Sequence, residues 1–148
     1  MVISVTLDTS VIVKALVPPR RRKRDELYEA QLDLHLRSRE FFRKIESGEY
    51  SNHIPIIALI ETACVVSRLS DEARADIALD FLSRNSRFYS DGYLLERAIE
   101  IGIETKASGF DVLFMACAKK TNSKLITDDR KMRDKANDYG LEVIFLRD

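Results

Sequence analysis

Four acidic positions constrain this chain more than any other feature, because each follows or interrupts an apolar segment that a fold must bury. Asp8 ends Val2-Ile3-Ser4-Val5-Thr6-Leu7, which reads as a strand, and Asp128-Asp129 follow Lys124-Leu125-Ile126-Thr127, which reads as another. Glu61 lies inside the apolar stretch at residues 56–66, and Asp111 opens Asp111-Val112-Leu113-Phe114-Met115-Ala116-Cys117-Ala118. Burying such segments carries their carboxylates toward surroundings where an unpaired charge is costly. Gathered together, the carboxylates repel one another, and a divalent cation is the usual remedy. The pattern therefore points to a metal-dependent hydrolase.

Strands and helices alternate between these positions. Ile3, Val5 and Leu7 share one face of the first strand. A short helix is predicted over 9–16, stopped by Pro18 and Pro19. Leu27, Leu34, Phe41 and Ile45 recur at helical spacing within 27–47, and Gly48 is a stop. His53 and Ile54 read as a brief strand, with Pro55 in the first turn of a helix that runs to residue 69. A helix from residue 70 to 85, a strand over 87–90 and a helix over 91–104 follow. Gly109-Phe110 reads as a break before a helix over 111–120. The strand at 124–127, a helix near 130–139 and a strand at 143–146 complete the chain. Such alternation points to an α/β fold with a parallel sheet, in one domain spanning residues 1–148.

Composition narrows the function. A chain of 148 residues buries roughly 70% of the surface its unfolded form exposes. Lys plus Arg equal Asp plus Glu at 24 each, so no overall field attracts nucleic acid and a local patch must meet any polyanion. No apolar run reaches the ~18 residues of a membrane span, and no basic region precedes the first strand. The expected location is cytoplasmic. Cys64 and Cys117 fall in apolar helical stretches and read as small buried hydrophobes rather than a disulfide. No Walker-type phosphate loop and no G-x-G-x-x-G is present. Haloacid-dehalogenase-like phosphatases need Asp-x-Asp after the first strand, and Ser10 holds the second place here. Receiver domains carry an acidic pair at the first strand, whereas the pair here comes near the end.

Singly, three of the acids also read as helix-terminal residues: Asp8 and Asp129 as caps, and Asp111 in a first turn. Glu61 resists that explanation, since on a helix it shares a stripe with Ile57, Cys64 and Val65. Arg68, seven residues on, stands roughly 10 Å along the axis, too far for a simple pair. Jointly the acids weigh more. Ligands of parallel α/β sheets bind beyond the carboxyl ends of the strands, where Asp8 and Asp129 sit. Carboxylates without His or Cys suit Mg²⁺ or Mn²⁺ rather than zinc. Such an ion polarises a phosphoryl oxygen and lowers the pKa of bound water.

In these residues the chain resembles the PIN-domain nucleases, especially the VapC-type toxins of prokaryotic toxin–antitoxin systems. Asp8 in Leu7-Asp8-Thr9-Ser10-Val11 matches the first family acid, and Glu61 in its Leu-Ile-Glu helix the second. Asp111 after Gly109-Phe110 matches the third, and Asp129 in Leu125-Ile126-Thr127-Asp128-Asp129 the fourth. The resemblance implies a three-layer α/β/α sandwich with a five-stranded, mainly parallel sheet. It also implies a Mg²⁺- or Mn²⁺-dependent endoribonuclease that cleaves single-stranded RNA by metal-activated water, leaving a 5′-phosphate and a 3′-hydroxyl. Asp8, Glu61, Asp111 and Asp129 are then catalytic, and together with Asp128 they are the metal ligands. A homodimer and a small antitoxin protein are the implied partners.

Substrate contacts are expected from Thr9, Ser10, Arg68, Thr127 and the basic run at 20–24, through Arg20, Arg21, Arg22 and Arg24. Helix capping is the rival reading of Thr9 and Ser10, a solvated loop that of the basic run, and Thr127 also reads as orienting the acids beside it or as suiting a strand end. His35 and His53 lie outside the motifs. The alternative function is a non-catalytic RNA-binding or scaffolding protein with a vestigial acidic pocket. That reading is disfavoured because a binding-only role gains nothing from negative charge facing RNA.

Overall fold

In the structure, a computed structural model describing all 148 residues, β1 (Ile3–Leu7) occupies the centre of a five-stranded sheet. On one side it pairs with β2 (Tyr50–Pro55), which pairs with β3 (Ser86–Tyr89). On the other side it pairs with β4 (Lys124–Thr127), and beyond that lies β5 (Val143–Phe145). Every pairing is parallel, in the order β3-β2-β1-β4-β5. Parallel sheets are covered on both faces, so a central strand buries consecutive residues instead of alternating. Val5, Thr6 and Leu7 are accordingly all fully buried.

Seven helices make the crossovers: α1 (Thr9–Leu16), α2 (Glu26–Glu46), α3 (Ile57–Leu69), α4 (Glu72–Asn85), α5 (Asp91–Thr105), α6 (Gly109–Thr121) and α7 (Arg130–Tyr139). Helices α1 to α4 pack among themselves, as do α5 to α7, giving an α/β/α arrangement around the sheet. Local chemistry sets most boundaries. Asp25 accepts the Tyr28 N–H to start α2, and Ser90 accepts the Tyr93 N–H to start α5. Gly48 (φ 81°) and Gly140 (φ 99°) take the left-handed conformation that follows α2 and closes α7.

Three expectations change. Residues 50–55 are all strand, and Pro55 ends β2 instead of opening α3. Its missing N–H is tolerated there: the Ile56 amide faces β3 and donates to the Tyr89 carbonyl at 2.9 Å, so the Pro55 nitrogen faces the β1 side, where pairing ends at Asn52. Gly109 and Phe110 do not break the chain but form the first turn of α6, where the Val112 N–H reaches the Ser108 carbonyl at 3.0 Å. Cys117 is in the core, whereas Cys64 is exposed on the outer side of α3. No helix is long and apolar enough to cross a membrane.

Candidate active site

The strand order reverses at β1, since β2 and β3 lie to one side and β4 and β5 to the other. At such a switch point the connections after neighbouring strands diverge and leave a crevice at their carboxyl ends. Asp8 follows β1 at that point, and its N–H is held by the Ile126 carbonyl of β4 at 2.9 Å. It stands at the N-cap position of α1, yet its side chain makes no capping bond. Instead Oδ2 accepts from the Ser10 hydroxyl at 2.7 Å and the Thr127 hydroxyl at 2.8 Å. Thr127 in turn accepts the Asp129 N–H at 3.0 Å, tying the first and last acids together. Thr127 and Ser10 thus orient carboxylates, one of the readings that the sequence offered for Thr127.

Asp8, Glu61, Asp111 and Asp129 all line one cavity of about 290 Å³, together with Thr9, Ser10, Val13, Lys14 and Val65. Glu61 arrives from the middle of α3 and Asp111 from the first turn of α6. Asp129 caps α7 through Oδ1 alone, which accepts the Lys131 and Met132 N–H groups at 2.9 and 3.2 Å. Capping and site membership coincide at this residue. Arg68 is exposed in the last turn of α3, outside the cavity lining.

Crowding shows in the electrostatics. Burial pushes the Asp8 carboxyl up from 3.8 to about 6, against the hydrogen bonds from Ser10 and Thr127 and with the help of the Asp111 and Glu61 charges. The Asp111 carboxyl is also raised, first by burial and then by the Asp129 charge, with the Ser108 hydroxyl and Lys135 opposing. Thr9 adds a buried hydroxyl that has no hydrogen-bond partner. An all-oxygen set of this kind, with a destabilised anion at its base, fits a hard divalent ion such as Mg²⁺ or Mn²⁺. As placed, no three His, Cys, Asp or Glu side chains stand close enough together to hold a metal ion between them.

Asp128 does not belong to the set expected of it. Its side chain is turned out of the cavity and buried, with its oxygens taken by Lys14 and Arg147. Residues 128 and 129 leave the strand end in opposite directions, so only one of two adjacent carboxylates reaches the cavity. Lys14, which sequence reasoning passed over, lines the cavity in its place. The signal was present: Lys14 lies four residues after Ser10 and therefore on the same face of α1.

The basic run is only partly free. Arg21 pairs with Asp25, the cap of α2, and Arg24 lies over the Tyr28 ring at 5.5 Å. Arg20 and Arg21 line a second, larger hollow of about 610 Å³ that shares Val13 and Lys14 with the acidic cavity. Neither histidine lines the acidic cavity. His35 Nδ1 lies 2.7 Å from the Lys14 carbonyl near the end of α1, and His53 bridges Ser51 and Tyr89.

The PIN domain profile matches residues 5–138. No curated protein matches the chain. Among solved structures, VapBC2 from Rickettsia felis, bound to a DNA fragment from their promoter, is 18% identical with a TM-score of 0.62, covering 97% of this chain and 98% of that one. FitAB bound to an IR36 DNA fragment is 15% identical with a TM-score of 0.64, over 100% and 96% of the two chains. FitAcB from Neisseria gonorrhoeae is 16% identical with a TM-score of 0.59, over 99% and 98%.

Proposed function

The chain belongs to the PIN domain family, and from that premise we propose that it is a Mg²⁺- or Mn²⁺-dependent endoribonuclease acting on single-stranded RNA, the toxin of a toxin–antitoxin pair. The observation that carries this reading is the convergence of Asp8, Glu61, Asp111 and Asp129 on one cavity, with the Asp8 carboxyl raised by burial and like charge. Asp8, Glu61, Asp111 and Asp129 would hold the ion. When bound, it supplies Lewis acidity at a phosphoryl oxygen and makes water acidic enough to attack at neutral pH. The chain's own part is positional. Ser10 and Thr127 fix Oδ2 of Asp8 by two hydrogen bonds, and Thr127 fixes the backbone of Asp129 by a third. The four carboxylates remain available to accept protons from a water lying among them.

The likeness to VapBC2 and FitAB supports an antitoxin partner. A homodimer is supported by the apolar stripe that α5 exposes, Leu95, Ile99 and Ile103, spaced four residues apart along one face. The whole of residues 1–148 acts as one PIN-like domain in a cytoplasmic protein.

The test is cleavage of a defined single-stranded RNA with Mg²⁺, Mn²⁺ or chelator. Fragments bearing 5′-phosphate ends are expected with either metal and none with chelator. RNA left intact in millimolar Mn²⁺ would favour the non-catalytic scaffold instead.

The basic run gives a second expectation. Replacing Arg20, Arg22 and Arg24 with Gln should weaken RNA binding and flatten its salt dependence by up to roughly 0.7 per lost phosphate contact. The rate at saturating RNA should hold, since these residues stand away from the acids. An unchanged salt slope would show that the run faces away from the substrate.

A further inference from the structure

Asp128 is the most deeply buried charged partner of any ion pair in the protein, with 2% of its side chain exposed, and it serves two cations at once. Lys14 Nζ lies 2.5 Å from Oδ2, while Arg147 donates through Nε at 2.8 Å and Nη2 at 3.1 Å. One carboxylate neutralises only one of them, so the trio keeps a net positive charge. Both cations stay partly in solvent, 34% and 46% exposed, and neither has used all its donors. A buried charge cluster is a poor device for stability, because apolar residues of similar volume generally do as well. Orientation is the better explanation of this one.

What it orients is clear from the neighbours. The Asp128 N–H donates to Ser10 Oγ at 3.0 Å, and Ser10 donates to Asp8 Oδ2 at 2.7 Å, so the cation pair and the acidic cavity share one hydrogen-bonded frame. Lys14 is the only cation lining the acidic cavity. With Arg147, Arg20 and Arg21 it also lines the adjoining hollow, whose walls hold four cations and no carboxylate. Negative charge is thus welcome on one side of Lys14 and, without a metal, repelled on the other.

We infer that Lys14 and Arg147, positioned by Asp128, bind the RNA phosphate next to the one cleaved and lead the strand from the acidic cavity into the hollow beside Pro18 and Pro19. The inference rests on the nuclease reading. Lys14 supplies a mobile point charge and Arg147 a flat guanidinium fork, a combination suited to a phosphate with several acceptor oxygens. Asp128 is a positioning residue here and touches no substrate.

The experiment measures binding of a fluorescent single-stranded oligoribonucleotide in chelator across a salt series, and cleavage kinetics in Mn²⁺. Lys14→Gln and Arg147→Gln should each raise Kd and KM roughly tenfold, the loss expected for one charge-assisted bond. The salt slope should fall by about 0.7 for each, with kcat held within roughly twofold. Lys14→Arg should restore most of the affinity, and Asp128→Asn should weaken binding without removing either cation. Unchanged Kd and salt slope in both single variants would overturn the inference, whether or not melting temperature falls, and so would a loss confined to kcat. Intact RNA with the unaltered chain in Mn²⁺ would instead overturn the nuclease reading, while the chelator arm still decides whether these cations bind RNA.

Discussion

Asp8→Asn protein is expected to cleave single-stranded RNA at least about a hundredfold more slowly than the unaltered chain in Mn²⁺, a loss of about 2.7 kcal/mol of transition-state stabilisation. Asparagine keeps an oxygen that can accept from Ser10 and Thr127, so the fold should survive and far-UV circular dichroism should be unchanged. What is lost is the negative charge at the base of the cavity, which no neighbour replaces. Asp111→Asn and Asp129→Asn should lose activity on the same scale. Thr127→Ala should lose less, roughly tenfold, since it removes one orienting hydrogen bond to a charged group and leaves the carboxylate in place. Wild-type rates for Asp8→Asn would sink the assignment of the site.

The same residue should govern stability, with the opposite sign. A carboxyl raised from 3.8 to about 6 binds its proton more tightly in the folded chain than in the unfolded one. Within that window the unfolded chain carries fewer protons, so stability falls as pH rises through it. Above pH 6 the ionised, buried Asp8 costs about 3 kcal/mol in metal-free buffer. Asp8→Asn should therefore melt up to roughly 10 °C higher than the unaltered chain at pH 7.5 with chelator present. Near pH 4 the difference should vanish. Mn²⁺ should narrow the gap from the other side, stabilising the unaltered chain by about 2.7 kcal/mol at a hundredfold excess over the dissociation constant. Thermal unfolding at the two pH values, with and without Mn²⁺, checks all three arms. Identical melting curves for the two proteins at pH 7.5 in chelator would show that Asp8 is not held as an uncompensated anion.

The elements that position the site were legible because their signals are local. Asp8 and Asp129 each stand at the join of an apolar strand and a helix, and a parallel sheet sends such joins to one edge. Glu61 was legible as a charge on an apolar helical stripe. Elsewhere the signals were ambiguous or distant. Pro55 is equally at home in the first turn of a helix and at the end of a strand, and only the Ile56 amide bonding to Tyr89 decides between them. Gly109 resembles a breaker until Ser108 is seen at the cap position of α6. Asp128 looked like a fifth ligand because it adjoins Asp129 at the end of the same strand. The arginine that claims it, Arg147, lies 19 residues away, past β5, and nothing local pairs the two.

The central place of β1 has a consequence for how the chain comes off the ribosome. The Thr127–Asp8 hydrogen bond joins residues 119 apart, and at ordinary elongation speeds those residues are synthesised roughly 6–24 s after Asp8. For that interval β1 can pair with β2 and β3, but the edge meant for β4 stays bare, a ready template for another strand. Asp8 meanwhile lacks Thr127 and Asp129, so the nascent chain carries no assembled cleavage centre. Under the nuclease reading, the tethered chain stays harmless during synthesis, and the acidic cavity is completed only with the last quarter of the sequence.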